Sequence, residues 1–228
     1  MYETPRLVAA SQPMRAVGAR LNSLTMGIYL TFWHCHPAGL AEEFVSGPLE
    51  EFGAWCEEIT AEFPDDIAPA VHPLLMTVQA RGVDGLRATT RAEATAVDRL
   101  MDTYFGMFCD MSRPGLKRAA DPSLLPVRHF RGMFGDSQRI CGGGSAFELW
   151  NFIFTGRAVG RDSSLLPYVS DDGVYRLAYW SSNEVIRLGE AFADKPAPND
   201  IDVRAVEAAQ SAVTRACEQG TGVILQVA

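Results

Sequence analysis

The chain has 228 residues, 47% of them apolar, with 20 basic against 28 acidic side chains and a net charge of −8. That size and apolar content suffice to bury a substantial core, while the composition excludes a collagen, a disulfide scaffold and a disordered tail, and the acidic balance argues against a surface that coats nucleic acid. The longest apolar runs, Met26 to Trp33 and Phe147 to Phe154, fall far short of the ~20 residues of a membrane-spanning helix.

The first 20 residues lack an apolar stretch behind a basic start and do not read as a signal peptide. From Met26 onward the chain reads as a single domain. Gly27 to Trp33 is β-branched and aromatic, which predicts a buried first strand ending at Pro37 and Gly39. A short helix through Glu43 follows, then one from Leu49 to Phe63 with Phe52, Trp55, Cys56 and Ile59 on one stripe and its glutamates toward water. Leu74 to Gln79 reads as a further strand. Arg91 to Met111 carries Val97, Leu100, Met101, Tyr104, Phe105 and Phe108 at helical spacing.

Asp121 to Gly144 is rich in proline and glycine and reads as loop. Ser145 to Glu148 then spells a capping box, opening a helix that runs to Thr155 and stops at Gly156. Val174 to Trp180 predicts a strand, Ser181 to Glu184 opens a helix by the same capping logic, Ile201 to Glu218 a last helix, and Gly222 to Val227 a closing strand. Without a regular βαβ rhythm, the order predicts a single α+β domain, a mixed small sheet packed by several helices.

Charge is unevenly spread. No Lys or Arg lies between Leu21 and Ala80, where nine acidic residues fall, including Glu50, Glu51, Glu57 and Glu58. From Arg113 to Arg161 the balance reverses. The first third therefore has an acidic face, most simply a solvated one and alternatively a surface for a basic partner protein; the two segments could attract one another across the fold, or the later one could serve an anionic ligand.

Ser145 to Phe192, SAFELWNFIFTGRAVG followed by YRLAYWSSNEVIRLGEAF, resembles the YfbM-like bacterial proteins of unknown function. Shared features are a Trp-bearing helix ending in a Thr-Gly turn, a strand running into a Ser-x-x-Glu-Val helix, a start at Met26-Gly27-Ile28 and a closing Gly-Val-Ile-Leu strand. The resemblance covers roughly half the chain, and Arg81 to Gly144 departs from the pattern. It implies an α+β fold over residues 26–228, makes residues 1–25 an N-terminal extension that the family does not share, and carries no activity to transfer. Arginine-rich, lysine-poor usage suits a bacterium with a GC-rich genome, where such small proteins are sometimes recruited into specialised metabolism.

The segment Arg139-Ile-Cys-Gly-Gly-Gly-Ser145 feeds directly into a helix. Gly143, Gly144 and Ser145 would let backbone amides approach a sulfate, phosphate or carboxylate at the helix N-terminus, with Arg139, Arg131 and Arg128 adding charge-assisted bonds. An ordinary loop closed by a cap has the same spelling. Neither nucleotide-binding glycine pattern is present, and no cofactor is expected.

Asp136 and His129 in the same loop are candidate base and acid, although Asp136 could equally pair with Arg131 or Arg139. His34 and His36 would share one face of the first strand, serving as acid/base groups rather than as half a metal site, since no third ligand is indicated and no metal is expected. Cys141 could be activated by the helix N-terminus or be an inert loop thiol. The five cysteines contain no C-x-x-C pair and read as reduced thiols in a cytoplasm. Trp33 and Trp180 are candidate pocket walls, with burial in the core as the alternative. These residues point to a redox-free lyase or cyclase acting on an anion-bearing small molecule, or alternatively to an accessory subunit docking through its acidic face, with neither nucleic acid nor membrane as partner.

Overall fold

The computed structural model describes residues 29–64, 67, 69–108, 117–119, 125–126, 136–160, 176–193 and 203–227. The expected extension at residues 1–25 lies outside them. The elements in chain order are β1 (Tyr29–Cys35), α1 (Leu40–Val45), α2 (Leu49–Glu62), α3 (Val71–Arg81), a 3₁₀ turn (Gly82–Leu86), α4 (Arg91–Asp102) continued by a π-helical turn (Thr103–Phe108), β2 (Lys117–Arg118), β3 (Leu125–Pro126), α5 (Ser137–Cys141), α6 (Ser145–Thr155), β4 (Arg176–Trp180), α7 (Ser182–Ala193), α8 (Val203–Gln219) and β5 (Gly222–Val227).

The strands form one sheet in the order β2-β1-β5-β4, with β3 also pairing β1. Every described pairing is antiparallel, which corrects the expectation of a mixed sheet. The reason lies between β4 and β5: two helices that pack on each other, α7 and α8, return the chain to the end of the sheet where β4 stopped. The final strand thereby sits in the middle, and all six of its residues are buried.

Alternation along the strands splits the core in two. Leu30, Phe32, Ala178, Trp180, Val223, Leu225 and Val227 face one layer, built by α5, α6, α7 and α8. Trp33, Cys35, Leu177 and Ile224 face the other, built by α1 to α4. In that second layer Tyr104 meets Phe44 and Phe52 edge to face at 4.7 and 5.0 Å between ring centres, contacts that each add about 0.5–1.5 kcal/mol beyond burial. The α+β architecture expected from the sequence is thus a helix–sheet–helix sandwich.

The segment expected as a strand at Leu74 to Gln79 is instead part of α3. Its buried residues, Val71, Leu75 and Val78, recur at helical spacing, and Pro73 falls in the first turn, where a missing N–H breaks no helical bond. The long helix from Arg91 is present through Phe108 and starts with a full capping box, Thr90 Oγ1 accepting from the Glu93 amide while the Glu93 carboxylate accepts from the Thr90 amide. α2, α6, α7 and α8 lie where the sequence places them. The turn after α6 carries Gly156 at φ 63° and ψ 178°, a backbone that favours glycine. No helix among the described residues is long and apolar enough to cross a membrane.

Candidate functional site

The glycine segment lies at the corner between α5 and α6. Arg139 is on α5, and its guanidinium donates to Asp136 Oδ1 at 2.7 Å. The arginine side chain is 50% exposed, so the pair sits at the surface. Asp136 thus pairs with Arg139 in this structure.

α6 begins with Gly144 as its N-cap, at φ 69°, with no side-chain cap hydrogen bond among the described residues. The capping box expected from Ser145 and Glu148 does not form. Ser145 is the first helical residue rather than the residue before it, because the positive φ needed at the cap falls to glycine. A Cβ added at Gly143 or Gly144 would meet nothing within 4 Å among the described residues. The result is an open, uncapped helix N-terminus with a guanidinium one short helix upstream. Such an end favours an anion through its free amides and dipole.

Cys141 is buried at the C-terminal end of α5, not at a helix N-terminus, and its thiol donates to the Ser137 carbonyl at 3.0 Å. That is the inert reading. His129, Arg128 and Arg131 lie outside the described residues.

The other candidates do not gather at this corner as a set. His34 is buried on β1, with Nδ1 3.0 Å from Thr221 Oγ1. His36 lies beyond the strand end and is exposed, its Nδ1 accepting from the Ala38 amide at 3.2 Å. The expectation that both share one strand face is corrected, because β1 stops at Cys35 and the chain turns. Trp33 and Trp180 are both core residues on opposite faces of the sheet, so they line no common pocket. Trp180 donates from Nε1 to the Leu149 carbonyl at 2.9 Å, tying β4 to α6. His34, Val223 and Trp180 do share one cross-strand row.

Sequence reasoning missed a buried ion pair beside these elements. Arg157, just past α6, makes two bonds to Glu184 at 2.8 and 2.9 Å and one to the Tyr179 carbonyl at 2.8 Å. Its guanidinium also lies 4.1 Å from the Tyr179 ring centre and 4.9 Å from that of Phe152. Glu184 accepts from the Ser181 amide and hydroxyl as well. Ser181 thus supplies donors to the glutamate, and only the back-reaching half of the expected cap at 181–184 is present. Burial opposes the Glu184 charge, but the Arg157 and Ser181 donors outweigh it and hold the carboxyl below the usual glutamate range. Burial pushes the Tyr179 phenol up, against the pull of Arg157. The network is saturated and knits α6, β4 and α7 together. The signal that could have found it is an arginine placed directly after a helix-ending glycine within an otherwise apolar stretch.

Burial pushes the Cys56 thiol up to about 11 and raises Cys35 as well, where Glu43 adds to the effect. Cys35, Cys56, Cys141 and Cys217 are free thiols. Among the described residues, no three His, Cys, Asp or Glu side chains are grouped to hold a metal ion. Two cavities, of 520 and 460 Å³, lie on the opposite face of the sheet, flanking α3. Comparison of the chain with protein-family models, curated proteins and solved structures returns no match.

Proposed function

We propose that this protein is a cofactor-independent, non-redox enzyme that acts on a small metabolite bearing an anionic leaving group, by elimination or intramolecular ring closure, in the cytoplasm of a bacterium and in specialised metabolism. The observation that carries the reading is the uncapped, exposed N-terminus of α6 behind Arg139. A sulfate or phosphate ester seated there would meet free amides and the positive end of the helix dipole, and both interactions strengthen as charge develops on the leaving oxygen.

The Arg139–Asp136 pair suggests how binding and base activation are linked. An exposed pair of this kind is worth about 0–1 kcal/mol, and an incoming anion competes with Asp136 for Arg139. Asp136 is then released beside the substrate. It takes a proton from the substrate's own nucleophile, whose electron pair forms the new bond to carbon as the carbon–oxygen bond breaks. The pair from that bond leaves with the sulfate or phosphate. His129 is the proposed acid partner. His34 and His36 take no part in this form of the mechanism.

A second reading is favoured by a separate observation: Glu50, Glu51, Glu57 and Glu58 are all exposed on the outer face of α2. That surface suits an accessory subunit that docks on a basic enzyme. The two readings separate by substitution. Under the enzymatic reading, Arg139→Ala and Asp136→Ala each lower release of sulfate or phosphate by at least about a hundredfold and leave complex formation intact. Under the accessory reading those variants keep full activity, and charge reversal at the four glutamates abolishes the complex.

A further inference from the structure

The larger cavity lies between α3 and α4 and belongs to no part of the site above. Its floor is apolar, with Pro73, Leu74, Ala92, Ala96 and Val97 among its lining residues, and its volume of 520 Å³ is within the range of small-molecule sites. It runs along α3 from Ala70 to Arg81, about 16 Å at the helical rise of 1.5 Å per residue. α3 and α4 are joined by the short segment 82–90, so the Arg81 end of the slot is also the end that holds Arg87 and Thr89. That end is closed by the 3₁₀ turn pressed on α3: a Cβ at Gly85 would come within 2.7 Å of the Val78 Cα.

Charge at the closed end is asymmetric. The Glu93 carboxylate is committed to the start of α4, accepting from the Thr89 amide at 2.6 Å, the Thr89 hydroxyl at 2.7 Å and the Thr90 amide at 3.1 Å. Arg87 pairs with Asp84 at 3.1 Å. Arg81 makes no ion pair or side-chain hydrogen bond among the described residues. A long apolar slot capped by an uncommitted guanidinium selects an elongated apolar body with one anionic head.

We infer that the α3–α4 cleft is a binding site for an unbranched aliphatic carboxylate, its chain along Leu74, Ala92 and Ala96 and its head on Arg81. The experiment is calorimetric titration of the full chain with dodecanoate and with dodecyltrimethylammonium, which share a tail and differ in head charge, both below their micelle thresholds.

The expected result is saturable binding of one dodecanoate, at least about tenfold tighter than the cation, the size of one charge-assisted hydrogen bond. Arg81→Gln removes that preference, and Ala96→Phe, which fills the slot, abolishes binding of both. Should Ala96→Phe fail to fold, Ala92→Phe at an exposed position serves the same purpose. Arg139→Ala leaves dodecanoate binding unchanged, so this site and the α6 corner fail or stand separately. Equal affinity for the two heads, undiminished dodecanoate binding in Arg81→Gln, or a dimer through this face that dodecanoate does not dissociate would overturn the inference.

Discussion

Arg157 and Glu184 meet inside the protein with side chains only 3% and 10% exposed. Removing one partner strands the other charge in a poorly solvating interior, a defect worth about 3–5 kcal/mol. Glu184→Gln and Arg157→Met are accordingly expected to destabilise by that amount in chemical denaturation. The pair also fixes an acid limb of stability. The carboxyl of Glu184 is held below its ordinary range in the fold and returns to about 4.3 when unfolded. Its contribution is therefore complete above about pH 4.3 and is lost as pH falls through the lower folded value. Melting temperature should decline more steeply below that pH in the wild type than in Glu184→Gln; parallel declines would show that the pair carries no such linkage.

Among the elements, two segments with the same Ser/Thr-x-x-Glu pattern have different outcomes. Thr90-Arg-Ala-Glu93 forms a full capping box, whereas Ser145-Ala-Phe-Glu148 forms none because the helix starts one residue earlier, at a glycine with positive φ. Thr90→Ala should cost about 0.5–2 kcal/mol, while Ser145→Ala should be close to neutral; urea denaturation of the two variants checks both. The same comparison shows what the sequence can convey. Strands β1, β4 and β5 and helices α2, α4, α6, α7 and α8 were legible because each carries its own hydrophobic period or end signals. α3 was not, since Pro73 reads locally as a break and only its place in the first turn makes it harmless. The register of a cap, likewise, depends on a backbone angle that residue names do not state.

For the whole molecule, the sequence conveys the class of fold but not which helices cover which face of the sheet. That division places Trp33 and Trp180 in separate cores and removes the aromatic pocket expected between them. Arg157 and Glu184 were invisible as a pair because 27 positions separate them, and only tertiary packing brings the turn after α6 to the start of α7. The α5–α6 corner, by contrast, was legible as a glycine run entering a helix beside an arginine. Its arginine and glycines are neighbours in sequence, which is why the corner could be read without the fold.

Under the enzymatic reading, the α5–α6 corner holds the anionic group of a substrate. The most direct test is a thermal-shift series with sulfate, phosphate, pyrophosphate and citrate at constant ionic strength, on the wild type and on Arg139→Ala. An anion present at ~100 times its dissociation constant stabilises by about 2.7 kcal/mol. A selective rise for sulfate or phosphate that disappears in the variant is expected; equal shifts in both proteins, or none in either, would overturn the reading.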